Sequence, residues 1–439
     1  MQTESLKRLV FQNSMVSSLL MLGLVVLILQ IPLSRLDGLI SERQQNLWQV
    51  QQEIASSWGG EQQVAGPYLV VPFDEGAQPS LHMGVMLNSP ERHFAVLLPA
   101  SLNVSAETQP EIRYRGLYEV PLYQAALNLE ATFTKTGIKD LNIDAGRWHW
   151  DEARVVLTVS DLRALTGSIT AQWQQGPLEV LPGSTTTLPG FHFPLQNAFD
   201  AGDSATFTLH FQLNGSQRLM LAPLGRTSVI RMEGAWPSPG FQGDWLPSQR
   251  SISAAGFLAQ WDIPFIARGM PVQWQAPQVQ LKQDELHWVG VQLQPPVDAY
   301  RQTERSTKYQ LLFLLMIFGF FWLFQQLSGI RLQWVHYLLT GASVCLFYLL
   351  LLSLAEHVGF VMAYLTACAA VIAQITLYGR SVLQTWSRAL GLGGLLAAMF
   401  AYLWSLLQEQ DYALLLGAAG LFVSLSLVMY LTRHRQFSH

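Results

Sequence analysis

The chain has 439 residues, of which only 13% are charged, against about 25% in an ordinary soluble domain. The net charge of −4 and the lack of a Lys/Arg cluster exclude a nucleic-acid footprint, so no nucleic-acid partner is expected. The charges are also segregated, because residues 34–308 hold 45 of the 56 charged side chains. This distribution indicates a membrane protein that carries one large polar insertion.

The first predicted element is a transmembrane signal anchor over residues 15–33, preceded by a cytoplasmic N-terminus over 1–14. No charged residue lies between Arg8 and Arg35, and the uncharged run is long enough to cross a bilayer. A cleaved signal peptide would share the basic start, but it would need a shorter apolar region and small residues at a cleavage site. We therefore expect an uncleaved anchor.

A helical stalk is expected next, over residues 34–58. Its apolar residues recur at the spacing of three and four that marks one face of a helix, with only Arg43 breaking the series. Gly59-Gly60 is expected to end this helix. Two interpretations stay open: the stalk packs on its own domain, or it pairs with a second copy of the chain. The stripe consists of Leu36, Ile40, Leu47, Val50 and Ile54.

Residues 59–308 predict a large, mainly-β domain without disulfides, since both cysteines lie elsewhere, in apolar runs. Between Phe207 and Leu213 apolar and polar residues alternate, as in a half-buried strand. We expect an antiparallel, sandwich-like fold. Strands are predicted over Tyr68–Pro72, Phe94–Leu98, Glu111–Val120, Ala126–Thr134, Arg154–Val159, Ala205–Leu213, Thr227–Glu233 and Phe257–Trp261.

Five further uncharged runs each match the roughly 20 residues that cross a bilayer as a helix. They bring the expected total to six transmembrane α-helices, with the β domain inserted between the first and the second. The predicted spans are 309–330, 333–354, 358–379, 389–408 and 412–432, followed by a cytoplasmic tail, 433–439.

Positive charge in the short connecting segments predicts the orientation of these spans. With the N-terminus inside the cell, every Lys and Arg outside the polar domain falls on the cytoplasmic side. These residues are Lys7, Arg8, Arg331, Arg380, Arg388, Arg433 and Arg435. Both termini are therefore expected in the cytoplasm and residues 34–308 outside it.

Known catalytic and metal-binding patterns are absent from the sequence. The ten histidines are scattered, and no closely spaced Cys/His set, nucleophile elbow or phosphate-binding glycine loop is present. Adjacent carboxylates such as Asp151-Glu152 would point to opposite faces of a strand, so they do not form a catalytic pair by themselves. We expect a protein that is not an enzyme and that has no catalytic residue, metal or cofactor.

One segment of the polar domain is a candidate partner or ligand surface. Between Trp236 and Pro247 the chain packs three prolines, two glycines and three aromatic residues into twelve positions. Rigid turns of this kind often present a binding surface, although a purely structural corner is the alternative. The candidate residues are Trp236, Pro237, Pro239, Phe241, Asp244, Trp245 and Pro247.

A second candidate is the polar pair Glu356 and His357, at a membrane boundary between two spans. Ionisable groups in this position can form a proton or ligand site, or they can simply end two helices at the headgroup level. The predicted spans contain no Asp, Glu, Lys or Arg of their own, which speaks against an ion-coupled transporter.

Several segments resemble the CreD family, in the same order and over almost the whole chain. They are Gly66-Pro67 with Val71-Pro72, the segment Trp236–Trp261 with its Gly-Asp-x-Leu-Pro, Thr303–Tyr309, Phe347–Phe360 and the hairpin Asp411–Leu416. The resemblance implies an inner-membrane protein of Gram-negative bacteria, linked to cell-envelope integrity, stress response, colicin tolerance and β-lactam response. It implies no catalytic residue.

The leading hypothesis is a non-enzymatic, multi-pass inner-membrane protein whose periplasmic domain binds an envelope component. That partner could be a protein, a lipid or a glycan, and the bilayer itself is a partner of the spans. The alternative is a lipid or small-molecule translocator, and an envelope hydrolase is a third class. The sequence leaves the oligomeric state open.

Overall fold

The computed structural model describes residues 14–75, 80–82, 85–87, 91–116, 118–135, 138–174, 176–184, 186, 188–199, 202–279, 283–294, 299–328, 333–408 and 412–432. The predicted cytoplasmic segments 1–14 and 433–439 thus lie almost wholly outside the described residues. The chain divides into a helical unit, Met1–Trp48 with Val297–His439, and a β unit, Gln49–Pro296.

The helical unit consists of long apolar helices and one short polar helix. Helix α1 is continuous from Ser14 to Trp58, and its last ten residues belong to the β unit. It ends at Gly59, whose φ of +128° suits glycine and few other residues. The other helices are α3 Ala299–Lys308, α4 Gln310–Ser328, α5 Trp334–Val358, α6 Phe360–Leu383, α7 Trp386–Gln408 and α8 Ala413–Thr432; a single turn in the β unit, Phe265–Arg268, is α2.

Four helices are long and apolar enough to cross a membrane within the described residues: the part of α1 from Leu20, α5, α6 and α7. Helices α4 and α8 contain shorter apolar stretches, Gln310–Trp322 and Leu415–Ser426. The expected membrane part is therefore confirmed in its coarse form, as several apolar helices beside a β-rich domain. The six-span count remains a prediction.

Aromatic side chains form the centre of the helical core. Phe347 of α5 lies 4.7 Å from Phe400 of α7, ring centre to ring centre, and Phe313 of α4 lies 4.9 Å from the same ring. Gly341 allows α1 and α5 to approach, because a Cβ there would lie 2.1 Å from a methyl group of Leu29. Close helix contact through a small residue is typical of membrane bundles.

The β unit contains two large sheets. In the nine-stranded sheet the order is β10-β11-β7-β1-β13-β19-β15, with β4 paired to β1 and β18 to β4. Its strands are β1 Gln62–Glu75, β4 Glu91–Leu97, β7 Arg154–Val159, β10 Leu181–Pro182, β11 Gly190–Pro194, β13 Arg218–Ala222, β15 Pro239–Gly243, β18 Gln273–Ala276 and β19 Val289–Leu293.

The eight-stranded sheet has the order β16-β17-β14-β5-β6-β12-β8-β9. Its strands are β5 Ser101–Arg115, β6 Tyr118–Thr134, β8 Leu165–Trp173, β9 Gly176–Leu178, β12 Ser204–Ser216, β14 Thr227–Gly234, β16 Gln249–Ser253 and β17 Gly256–Pro264. A separate two-stranded sheet pairs β2 Ser80–His82 with β3 Val85–Leu87. Along β5 and β12 buried and outward-facing residues alternate, which leaves one face of this sheet polar.

The inner faces of the two large sheets share one hydrophobic core, so the β-rich, sandwich-like prediction is confirmed. Two details of it are wrong. First, β1 pairs with β13 and β5 pairs with β14 in parallel, although the other pairs are antiparallel. Both parallel pairs join strands more than 100 residues apart, whose direction no local turn determines.

The second error is the predicted strand Glu111–Val120, which is in fact a hairpin. Strand β5 ends at Arg115, the chain turns at Gly116 with a φ of +60°, and β6 begins at Tyr118. The register pairs Arg115 with Tyr118, as in a tight turn. The apolar residues on both sides of the turn hid it in the sequence pattern.

Candidate functional site

Glu356 lies in the last turn of α5 and joins three helices. Its side chain is only 9% exposed, and its carboxylate accepts a hydrogen bond of 3.0 Å from the hydroxyl of Tyr300 on α3. The Nε atom of Arg43 on α1 lies 3.7 Å from the same oxygen. His357 is exposed, because the next residue on a helix points about 100° away. The structure therefore brings Glu356, and not His357, into a polar cluster.

Sequence reasoning missed the partners of Glu356, since more than 250 residues separate Arg43 from Tyr300 and Glu356. Helices α1 and α3 also meet where Nε2 of Gln44 donates a 3.0 Å hydrogen bond to Glu304. This bond and a second one from Lys308 hold the pKa of Glu304 below its usual range, so its carboxylate is charged at neutral pH. In the sequence, only the helical spacing of polar residues in the stalk indicated that α1 has polar contacts with another helix.

Replacing Glu356 with glutamine is expected to lower the free energy of unfolding of the helical unit by about 1 kcal/mol, because the ion pair with the half-exposed Arg43 is lost while the bond from Tyr300 is kept. Thermal unfolding of the full-length protein in detergent measures the change. Replacing the exposed His357 with alanine is the control and should change stability by less than roughly 0.5 kcal/mol. An equal effect of both substitutions would contradict the cluster.

The segment Trp236–Pro247 is partly core. Trp236 is 5% exposed, and its indole Nε1 donates a 2.9 Å hydrogen bond to the carbonyl of Gln294. Phe241 lies in β15 and packs edge-on against Phe257 and Trp261, at 6.2 and 5.9 Å between ring centres. These two candidate residues therefore hold the strand to the sandwich core.

The rest of the segment reaches the surface. Asp244 is exposed and accepts a 2.9 Å hydrogen bond from the backbone N–H of Trp288, while Trp245 is half-buried. Pro237 is exposed, and Pro239 and Pro247 are intermediate. Binding of a partner by these residues stays a prediction.

Two shallow, open hollows lie on the outer face of the eight-stranded sheet. One hollow of about 610 Å³ crosses β14, β5, β6, β12 and β8, and a second of about 580 Å³ lies along β5, β14, β17 and β16. We call the two hollows the polar trough. From residue 103 to residue 109 of β5 it extends for about 20 Å at the rise of a strand. Its lining includes Asn103, Ser105, Asn128, Gln172, Thr208 and His210, then Glu107, Gln109, Glu233, Ser251 and Ser253.

Most of the polar side chains that line the polar trough are uncharged. The ring Nδ1 of His210 donates a 2.6 Å hydrogen bond to the amide oxygen Oδ1 of Asn128. Glu130 and Arg231 also line the first hollow, and with Glu107 and Glu233 the trough has more negative than positive charge. Within the described residues no group of three or more His, Cys, Asp or Glu could hold a metal ion.

Comparison with known protein families matches residues 14–438 to the family described as "Inner membrane protein CreD". The chain belongs to the CreD family. It is 30% identical to the inner membrane protein CreD of Escherichia coli strain K12 over 417 residues, which cover 93% of this chain and 90% of that protein. The family and the apolar helices together show an inner-membrane protein, and the family description names no enzymatic activity.

Two solved structures illustrate a distant likeness to this CreD-family chain. An M1 zinc metallopeptidase from Deinococcus radiodurans is 10% identical, with a TM-score of 0.22, and the match covers 45% of this chain and 42% of that one. A mutant of that enzyme bound to a Tyr-Ser-Ala substrate gives a TM-score of 0.23, over 48% of this chain and 53% of that one. At such TM-scores neither a shared fold nor a shared activity follows.

Proposed function

We propose that this CreD-family protein supports envelope integrity without catalysis, by holding an envelope component in the polar trough of a periplasmic β unit. Six spans would anchor it, with both termini in the cytoplasm and residues 34–308 in the periplasm. The distribution of Lys and Arg supports this orientation. A reporter fused after His439 should stay cytoplasmic, and its detection in the periplasm would contradict the topology.

The polar trough is the observation that carries the proposal. Its floor presents amide and hydroxyl side chains in rows, on strands about 4.8 Å apart. An extended, hydroxyl-rich chain such as a glycan can exchange hydrogen bonds with successive rows. The excess of carboxylates over Arg231 opposes a polyanion, so a neutral glycan fits best.

Filling the trough should weaken binding without unfolding the protein. Ser105 is exposed on the central strand β5 and lines the first hollow, so Ser105→Trp is expected to weaken binding of a soluble N-acetylhexosamine oligosaccharide by at least roughly tenfold. Affinity is measured by calorimetry on the full-length protein in detergent. Ile252→Trp is the matched control, because Ile252 is exposed on edge strand β16 of the same sheet and lines neither hollow.

Equal affinities for the two tryptophan variants and the unchanged protein would contradict the trough as the binding site. No measurable binding of the oligosaccharide by the unchanged protein would contradict the glycan. In that case, the unchanged protein is tested for binding of vesicles or envelope proteins. If Ser105→Trp removes that binding, the trough is still the binding site, but its occupant is not a glycan.

A second candidate is a lipid or small-molecule translocator. The largely buried carboxylate of Glu356, held between α1, α3 and α5, favours it. If Glu356→Gln and His357→Ala leave envelope integrity intact in cells while Ser105→Trp abolishes it, the translocator is contradicted. If Glu356→Gln is stably folded and is the only one of these variants that loses envelope integrity, the translocator is favoured over binding in the trough.

A further inference from the structure

A polar cleft of about 350 Å³ lies within the helical unit, between α1 and α3. On each helix the lining residues are spaced by three or four positions, so they occupy one face of that helix. We call this the interhelical cleft. Helix α1 contributes Asp37, Ser41 and Gln44, and α3 contributes Glu304, Thr307 and Lys308.

Ion pairs and hydrogen bonds hold both positively and negatively charged side chains in place around this cleft. Nζ of Lys308 lies 3.0 Å from Oε1 of Glu304, whose other oxygen accepts the bond from Gln44. Gln310 donates a 3.2 Å hydrogen bond to Asp37. The side chains of Glu304 and Lys308 are nevertheless 40% and 65% exposed, so their charges can also reach a molecule in the cleft.

The interhelical cleft directly adjoins surfaces that suit lipid chains. On α1, exposed apolar residues precede Asp37, and on α4, which begins two residues after Lys308, exposed leucines follow. Polar groups that end such apolar stretches lie at the level of the lipid headgroups. The exposed residues are Leu24, Leu27, Ile28 and Ile31 on α1 and Leu311 and Leu315 on α4.

We propose that the interhelical cleft binds the headgroup of a phospholipid that carries a primary ammonium and a phosphate, as phosphatidylethanolamine does. The carboxylates of Asp37 and Glu304 accept hydrogen bonds from the ammonium, and Lys308 and the hydroxyl of Ser41 donate to the phosphate. The acyl chains follow the apolar faces of α1 and α4. This site does not depend on glycan binding; the proposed topology places it in the periplasmic leaflet.

Charge complementarity selects this headgroup over others. Two carboxylates and one ammonium line the cleft, so an anionic lipid such as phosphatidylglycerol meets an excess of negative charge. The quaternary ammonium of phosphatidylcholine has no N–H group and cannot donate to Asp37 or Glu304. A primary ammonium supplies three donors, and hydrogen bonds between charged groups are the strong ones.

The test is lipid retention by the full-length protein in nanodiscs that contain phosphatidylcholine and a second lipid in equal amounts, so that the two compete for the site by mass action. Native mass spectrometry should show retained phosphatidylethanolamine in roughly tenfold excess over phosphatidylcholine, the factor that one charge-assisted hydrogen bond supplies. N-methylation of the headgroup should reduce retention stepwise. Asp37→Asn combined with Glu304→Gln should remove the preference, whereas Glu42→Gln, an exposed residue of α1 outside the cleft, should preserve it.

Three outcomes would overturn the proposal. Equal retention of the two zwitterionic lipids would show that the ammonium is not recognised. Preferred retention of phosphatidylglycerol would show an anion site. Loss of the preference on chelation of divalent cations would assign the two carboxylates to a metal ion. If the double variant unfolds, Glu304→Gln alone, which keeps a hydrogen-bonding side chain, must still halve the preference or more.

Discussion

Replacing Trp236 with alanine is expected to lower the free energy of unfolding of the β unit by about 3 to 5 kcal/mol. The indole is 5% exposed, so its removal leaves a cavity that the surrounding strands fill only in part. The carbonyl of Gln294 also loses its hydrogen bond from the indole. Hydrogen exchange of the full-length protein in detergent, followed on peptides from residues 49–296, measures the change for this unit alone.

Leu246 provides the control for this result. It lies in the same segment but is 75% exposed, so Leu246→Ala should change stability by less than roughly 0.5 kcal/mol. A Trp236→Ala protein that keeps full stability and loses a binding partner would instead assign Trp236 to a recognition surface. Because Trp236 is buried, we expect the partner-binding part of the segment to be limited to Asp244, Trp245 and their neighbours.

Replacing Gly290 with alanine is expected to destabilise the β unit by about 3 kcal/mol. Gly290 is buried in β19, which is paired on both sides, with β13 and with β15. A Cβ at this position would lie 2.1 Å from the carbonyl oxygen of Leu219 and 2.9 Å from the Cα of Met220. Both are backbone atoms of a central strand, which cannot move without disturbing the sheet. The same hydrogen-exchange measurement applies.

Gly60→Ala is the matched control, because no atom outside Gly60 and its two chain neighbours lies within 4 Å of the position its Cβ would take. It should leave the exchange of the β unit unchanged or slightly slower, since alanine restricts the unfolded chain. Equal destabilisation by the two substitutions would contradict the close strand approach at Gly290. The pairing of β15 with β19 also holds Phe241 against the core, so a disturbance there should extend to the Trp236–Pro247 segment.

Prediction from the sequence was most successful where one local period decides the structure. The sequence predicts a strand over Arg154–Val159 and the structure has those bounds, because a short β-branched run between turn residues has few alternatives. Glu111–Val120 failed because apolar residues continue through the turn at Gly116. Residues 299–308, expected in the β-rich domain, form α3 and group with the helical unit.

The candidate sites were harder to predict than the elements. Glu356 was identified from its position at a span boundary, but its contacts with Arg43 and Tyr300 depend on how α1 and α3 pack against α5. The polar trough was missed entirely. Asn103, Asn128 and His210 are ordinary outward-facing residues of separate strands, and no motif connects them.

The sequence by itself determined the membrane part, the β-rich insertion and the family, because apolar runs, strand alternation and family segments are all properties of neighbouring residues. Only the tertiary structure decided that Trp236 is core and that Phe241 packs against the core, that β5 and β14 pair in parallel, and that Asp37 faces Glu304 across a cleft. These facts depend on strand order and helix packing between residues that are not neighbours in the sequence. The free energy of the whole fold selects such contacts, and the local periodicity of the sequence does not predict them.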